Sequence, residues 1–599
     1  MLEPSDHGLS SVSGAFLGVE HSLGGRRWQE RPADLRLALT ICQRHELPDI
    51  VGQVLASREI SLDEAAHFLK PTLRDLLPDP FHLKDMDKAA DRLAVAVMNG
   101  QIIGVFGDYD VDGATSAALL LRFFAALGAA TAFHIPDRMT EGYGPNTPAL
   151  LRMRQAGVAV AVTVDCGIAA FAPLAAAAAA GLDVIVVDHH EAEEALPVAL
   201  AVVNPNRLDE TSAHGHLAAV GVAFLLVVAV QSRLRERGWF KDHAAPDLLR
   251  WLDIVALGTV CDVVPLVGAN RALVAQGLKV LGMRRNAGIA ALCDLAGLKE
   301  PADSYHLGYI LGPRVNAGGR VGQADLGVRL LTTDDPQEAA VLAHCLEGHN
   351  RARQEIEAAV LQSAIEQVDR FSDDRLPLVL AAGDGWHPGV IGIVAGRLKE
   401  RYNRPACVIA FEGDEGKGSG RSVSGFDLGA VIIAARQAGL LLKGGGHAMA
   451  AGFSLTREQL DGFRGFLGER LAAQMQGPLR PVFELDGALD PGGASLDLVK
   501  SLLCLGPFGS GNGEPRFAVT GALVKSARVV GAGHVSCILS GRSGGRLKAI
   551  AFRAADTDLG RALLAKDGTP MHLAGPLRID NWQGNSTVQL FIEDGAPSV

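Results

Sequence analysis

The stretch IIGVFGDYDVDG, residues 102–113, decides the fold: an apolar run of β type ends on a glycine and passes at once into Asp108, Asp110 and Asp112 at alternate positions. Residues 115–127 then carry helical spacing that stops at Gly128, and a second apolar run follows at 132–135. The unit repeats. Residues 158–164 read as a strand, 169–180 as an Ala-rich helix ended by Gly181, and 184–187 as a further strand. Strands alternating with helices at this spacing imply a parallel sheet with right-handed crossovers, whose ligands sit beyond the carboxyl ends of the strands.

Those ends carry an unusual set of side chains. The three aspartates follow the first strand, Asp165 the third, and Asp188, His189 and His190 the fourth, while Asp262 closes another apolar stretch within 252–265. In an extended segment alternate side chains share a face, so Asp108, Asp110 and Asp112 are expected to converge. Adjacent carboxylates repel unless cations separate them. Oxygen ligands with an imidazole suit Mn²⁺ or Mg²⁺ better than zinc. The set suffices for two divalent metal ions, an arrangement that acidifies a bridging water for in-line attack on phosphorus and offsets charge on the phosphoryl oxygens. Taken alone, any one aspartate is as readily a turn or N-cap residue, and a single histidine a satisfied core group. A DxDxD, a VD and a DHH on successive strand ends of one sheet point instead to a metal site. A dinucleotide fold is set aside because DYDVDG stands where GxGxxG would be required.

Around this nucleus the chain has 599 residues, 48% of them hydrophobic, which is material for three or four domains. The net charge of −11 excludes coating nucleic acid through bulk charge, so any basic contact must be local. Eight cysteines without a CxxC pair read as thiols of a reducing cytoplasm. The longest apolar run, Val220 to Val230, is too short to span a bilayer, and a cytoplasmic protein is expected.

Residues 1–38 show no clear period and read as a mobile arm, followed by helical spacing over 48–77. A long charge-laced helix is expected over 334–369 as a connector. Beyond it, strands at 378–381 and 406–411 flank a helix over 390–402, and Gly444, Gly445, Gly446 and His447 read as a glycine-rich loop. From about 481, short strands and Gly turns fit a small β-barrel of OB type, with Phe508, Phe517, Trp582 and Phe591 available either as core or as stacking surfaces. The expected fold class is therefore α/β: a parallel-sheet domain, a long helix, a second α/β domain and a β-barrel. Boundaries are placed at 1–75, 76–333, 334–370, 371–478 and 479–599.

Glycine-rich segments that carry Arg or His offer backbone N–H groups and charged donors to phosphate. Arg314, Asn316 and Arg320 lie in one, Ser419, Arg421 and Ser422 in another, and His447 follows three glycines. These are the expected substrate-binding residues.

The motifs GDYDVDG, TVDCG, DHH and GTVCDVVPL, in this order, resemble those of the DHH phosphoesterase family. The later segments LGPRVNAGGR, GWHPGVIGIVAGRL, SGRSV and GGGHAMAAG extend the resemblance over nearly the whole chain, toward the branch that digests single-stranded DNA. The resemblance implies a DHH catalytic domain, a DHHA1-like substrate-binding domain and an OB-like barrel. It implies that Asp112, Asp165, His189 and Asp262 hold one metal and Asp110 with the shared Asp165 the other. Asp108 and His190 would be near neighbours, His190 orienting ligands or meeting the scissile phosphate. It also implies a 5′-to-3′ exonuclease releasing mononucleotides in DNA recombination and repair, with a single-strand-binding protein and a helicase as partners. The same cluster would serve a pyrophosphatase, a cyclic-dinucleotide phosphodiesterase or an oligoribonuclease, but the β-rich C-terminal segment favours a polymer. A non-catalytic scaffold is disfavoured because every ligand position is filled.

Overall fold

The computed structural model describes residues 14–371, 377–475, 480–541, 544–565, 568–582 and 585–598. The chain forms two compact units: one of Met1–Lys70, Pro478–Gly506 and Gly513–Val599, the other of Pro71–Gly477 with Pro507–Asn512.

The second unit is built on a five-stranded parallel sheet with the order Thr131–His134, Ile102–Gly107, Val158–Val164, Asp183–Val187, Ala201–Val203. The first strand lies between the second and the third, so the strand order switches at its edge, where parallel sheets open a crevice at their carboxyl ends. The sheet separates two cores. Ile103 and Val105 pack beneath the helices Met86–Met98, Val111–Ala126 and Ala219–Glu236, while Phe106, Ala161 and Val186 face Thr147–Gln155 and Phe171–Ala179. A large apolar side chain fully buried in this way contributes ~1.5–3 kcal/mol.

The segment after the first strand differs from expectation. The helix starts at Val111 rather than 115, and Asp110 is its N-cap, its carboxylate accepting from the Gly113 N–H at 3.0 Å. Asp112 thus lies in the first helical turn, not in an extended run. The aspartates are brought together by a strand end, a cap and a helix turn in succession.

Pro336–Phe371 is one 36-residue helix. The following domain has a five-stranded sheet of order Lys443–His447, Ala450–Thr456, Glu415–Arg421, Ala406–Glu412, Val379–Asp384, in which only the last two strands pair in parallel. The expected glycine loop at 444–447 is in fact the edge strand Lys443–His447, in which Gly446 has φ +152°. The segment LGPRVNAGGR is likewise helical, a π turn His306–Leu311 leading into Gly312–Val321. Its N–H groups are consumed in the helix, and its glycines serve close packing: a Cβ at Gly319 would collide with the carbonyl oxygen of Tyr109.

In the first unit an eight-stranded sheet includes the long strand Phe517–Val530, flanked by His534–Ser540 and Met571–Gly575. Phe517 is core and Phe591 half-buried, Phe508 belongs to the other unit and is half-buried there, and the Trp582 side chain lies outside the described residues. Of the arm expected to be mobile, residues 14–38 are described and contain the strand Arg27–Glu30 and the start of the helix Leu35–His45; Met1 to Ser13 lie outside the described residues. Arg27–Glu30 pairs in parallel with Val482–Leu485, and the buried Trp28 donates its indole N–H to Asp594 at 3.0 Å. A four-residue strand whose partner is more than 450 positions away leaves no local period to read. Over 48–77 the helical spacing resolves into three short helices, Asp49–Ser57, Ala65–Leu69 and Leu73–Leu76. Among the described residues no helix is long and apolar enough to cross a membrane.

Candidate metal centre

Strand register sets the floor of the site. Gly107 is level with Val164, Val164 with Val187, and Val187 with Val203. The ladder continues one step further, Asp108 N–H donating to Val164 O, Asp165 N–H to Val187 O and Asp188 N–H to Val203 O, at 3.0–3.2 Å. Asp108, Asp165 and Asp188 therefore stand in one row. Asp165 leaves the strand with φ +59°, a left-handed conformation that costs a non-glycine residue about 1 kcal/mol or more.

On this row the side chains converge. His189 Nε2 lies 3.3 Å from Asp165 Oδ1 and 3.9 Å from Asp112 Oδ2, and its Nδ1 lies 3.6 Å from Asp262 Oδ2. Three sets each bring their donor atoms within 4.8 Å of one another: Asp112, His189 and Asp262; Asp108, Asp110 and Asp165; Asp165, His189 and His190. Asp262 comes from the C-terminus of the helix Leu252–Cys261. Asp112 is fixed by the N-terminus of the helix Ala219–Glu236, accepting from Ala219 N–H at 2.7 Å and Val220 N–H at 2.9 Å.

The donor atoms fit a divalent cation. Asp108 Oδ1, Asp165 Oδ1, Asp262 Oδ2 and His189 Nε2 are buried without a hydrogen-bond partner. Leaving such groups unsatisfied is costly, by about 1–3 kcal/mol for a neutral group and more for a charge. Burial, reinforced by neighbouring carboxylates, pushes Asp108, Asp112 and Asp165 well above the usual carboxylate range; Asp262 is raised by burial against the pull of His189. Cations would replace the missing partners and relieve the repulsion.

Asp188 belongs to a different network. It accepts from the N–H groups of Ile168, His189 and His190, and from His190 Nδ1 at 2.7 Å. Burial opposes the charged imidazole, but the Asp188 contact outweighs it and raises His190 to about 9. Asn204 and Asn206, beyond the last strand, hold the carbonyls of His190 and His189 at 2.8 and 2.5 Å. Sequence reasoning missed both, although an NPN directly after a strand of the same sheet was a usable signal.

The expected phosphate residues separate into groups. Arg138 lies close enough to Arg320 and Arg421 to depress both, and after the larger effect of burial Arg320 falls to about 10. Among the described residues none of the three forms an ion pair with a carboxylate, and the opposite charges they feel include those of the metal cluster, Asp110 acting on Arg320 and Arg138 on Asp108. Arg138 also sits 5.2 Å above the Tyr109 ring, and no local pattern in its loop announces it. Ser419 receives Arg421 Nη1 at 3.2 Å, joining this group. Arg314 is engaged elsewhere, in a 2.8 Å ion pair with Glu347 of the long helix. Ser422 is buried and donates to Phe426 O at 2.9 Å, a fold contact. Asn316 is half-buried and His447 exposed.

Carboxylates and an imidazole with unpartnered buried donor atoms, beside arginines that have no ion-pair partner among the described residues, define a metal-dependent phosphoesterase. Comparison with known proteins agrees. The model of the DHH family N-terminal domain matches residues 102–259, that of the DHHA1 domain 376–473, and that of the RecJ OB domain 485–594. The chain is 37% identical to the single-stranded-DNA-specific exonuclease RecJ of Escherichia coli, over 92% of this chain and 96% of that protein. It is 34% identical to the exonuclease of the same name from Bacillus subtilis, over 96% of this chain and 71% of the other. The Mn²⁺ complex of Thermus thermophilus RecJ superposes with a TM-score of 0.79 at 31% identity, covering 95% of this chain and 78% of that one. The chain belongs to the RecJ family of DHH phosphoesterases.

Proposed function

We propose that this chain is a metal-dependent exonuclease that hydrolyses single-stranded DNA from the 5′ end to mononucleotides, in recombination and repair. The observation that carries the reading is the set of four buried, unpartnered donor atoms on Asp108, Asp165, His189 and Asp262, gathered where a row of strand ends meets the end of the helix Leu252–Cys261. Support for the substrate comes from the relatives, which are named single-stranded-DNA-specific exonucleases.

Asp112, Asp165, His189 and Asp262 would hold one cation, and Asp110 with the shared Asp165 and adjacent Asp108 the other. Divalent cations held there supply Lewis acidity, lowering the pKa of water and offsetting phosphoryl charge. The chain's own residues do the rest. His190, kept protonated at neutral pH by Asp188, offers the Nε2 proton to a phosphoryl or leaving oxygen. Arg320, Arg421 and Arg138, with Ser419, receive the phosphates of the strand. Asn204 and Asn206 keep the two histidines in place through their carbonyls.

The sequence-based domain boundaries assign catalysis to 76–333 and substrate binding to 371–478 and the OB-like region 479–599. A single-strand-binding protein and a helicase that clear secondary structure are the partners this reading implies, in the cytoplasm. The test is digestion of a long single strand labelled at either end, with and without Mn²⁺, beside the blunt duplex. Metal-dependent mononucleotide release from the 5′ end of the single strand alone is expected; turnover of only pyrophosphate or a dinucleotide would replace the polymer with a small-molecule substrate.

A further inference from the structure

Within the helical run through residues 305–320 only Tyr305 and Tyr309 are exposed. Pro313, Asn316 and Arg320 continue their row half-buried, at spacings of four, three and four, while Leu307, Leu311, Val315 and Gly319 are buried. At its far end the row carries Arg320, which feels the charge of Asp110 of the metal cluster. At its near end Tyr305 and Tyr309 stack on each other, ring centroids 5.0 Å apart at 28°, although they are 51% and 73% exposed. Two tyrosines held against one another in water are a ready surface for a flat aromatic partner.

The local backbone is unusual too. Residues His306–Leu311 form a π turn, a widening often found at functional sites. The turn is tied to the metal centre through Cys261, whose thiol donates to Leu307 O at 3.4 Å and which immediately precedes Asp262. From Tyr309 to Arg320 the row runs about 16 Å at helical rise, the reach of a few nucleotides.

We propose that Tyr305 and Tyr309 form a stacking platform for unpaired bases of the DNA strand, a few nucleotides from the scissile phosphate, with Asn316 and Arg320 guiding the backbone between. The proposal rests on the exonuclease reading above. A base inside a duplex is already stacked on both faces and held edge to edge by its partner, so the platform selects single strands, whose bases can leave the stack. Stacking of this kind tolerates any sequence, as a non-specific exonuclease requires.

The test uses the full chain with Mn²⁺ and 5′-phosphorylated single strands of fixed length carrying one abasic position, moved stepwise from the 5′ end. Wild type should show KM rising about tenfold when the gap falls within one short window. In the double variant Tyr305→Ala, Tyr309→Ala, KM for the intact strand should rise by a similar factor, kcat should change far less, and the abasic window should vanish. Tyr305→Phe with Tyr309→Phe should restore both, because the ring and not the hydroxyl carries the contact. A wild type that digests single strands, paired with an alanine variant of unchanged KM and abasic profile, overturns the platform alone. A wild type that releases nothing from any single strand overturns the exonuclease reading and the platform with it.

Discussion

Replacing Gly113 by alanine separates helix propensity from site geometry. Gly113 lies in the first turn of the helix Val111–Ala126, and by propensity alone Gly→Ala inside a helix stabilises by about 1 kcal/mol. Here a Cβ would stand 2.5 Å from Asp108 O and 2.7 Å from Asp108 C and N. These are backbone atoms, which cannot swing aside as a side chain would. Restoring ordinary contact at 3.4 Å from the carbonyl oxygen requires the backbone to move by roughly 0.9 Å, and overpacking of this kind costs about 1–3 kcal/mol. The net change in stability is then between zero and a loss of about 2 kcal/mol. Activity should suffer more, because the displaced backbone carries Asp108 and leads into Asp110. A misplacement of about 1 Å costs on the order of 100-fold, so kcat on single-stranded DNA should fall roughly ten- to 100-fold. Thermal melts and single-turnover digestion with saturating Mn²⁺ measure the two effects. Gly348→Ala is the control: it is exposed on the long helix, nothing lies within 4 Å of its would-be Cβ, and the variant should gain up to about 1 kcal/mol without loss of activity. A Gly113→Ala enzyme with wild-type kcat would refute the claim that this contact positions the ligands.

Asp165→Ala should abolish hydrolysis and reduce the Mn²⁺ stoichiometry seen by calorimetry, since Asp165 belongs to two of the three donor sets; retained activity would end the shared-ligand assignment. Arg421→Ala should weaken binding and lower the slope of log affinity against log salt by about one, read in titrations at several ionic strengths. His190, raised to about 9, stays charged in the metal-free protein across neutral pH. Its stabilising contribution is complete below the unfolded value near 6.5 and is lost as pH rises through about 9. NMR titration should show this value, and Asp188→Asn should bring it to about 6.5 or below. The raised Asp108, Asp112 and Asp165 have the same sign: the folded chain binds more protons than the unfolded one above the ordinary carboxylate value near about 3.9. In chelator, stability should therefore fall as pH rises past that value, and Mn²⁺ should restore it with release of protons, measurable by calorimetry in buffers of different ionisation enthalpy.

What the sequence discloses and what it withholds follow one rule: a feature is legible when its cause is local. The strand-end aspartates and the DHH run were readable because a parallel sheet sends successive strand ends to one side, so chain order alone predicts their meeting. The convergence of Asp108, Asp110 and Asp112 was nevertheless expected for the wrong local reason, because a helix beginning at Val111 gives nearly the same grouping as an extended run would. Arginines in glycine-rich segments carry the same local signature whether they face a ligand or a carboxylate. Nothing near Arg314 reveals Glu347, which approaches along the long helix, and nothing near Arg138 reveals Arg320 and Arg421. The same holds for glycines. In LGPRVNAGGR they read as flexible donors to phosphate, whereas Gly319 is there because Tyr109, about two hundred residues earlier, occupies the space a side chain would take. Glycine and arginine in this chain thus report close approach and charge without naming the partner. Asp108, Asp165 and His189 escape this ambiguity because they follow strands that are neighbours in one parallel sheet, whereas Asp262, at the end of a helix, joins them through the fold alone.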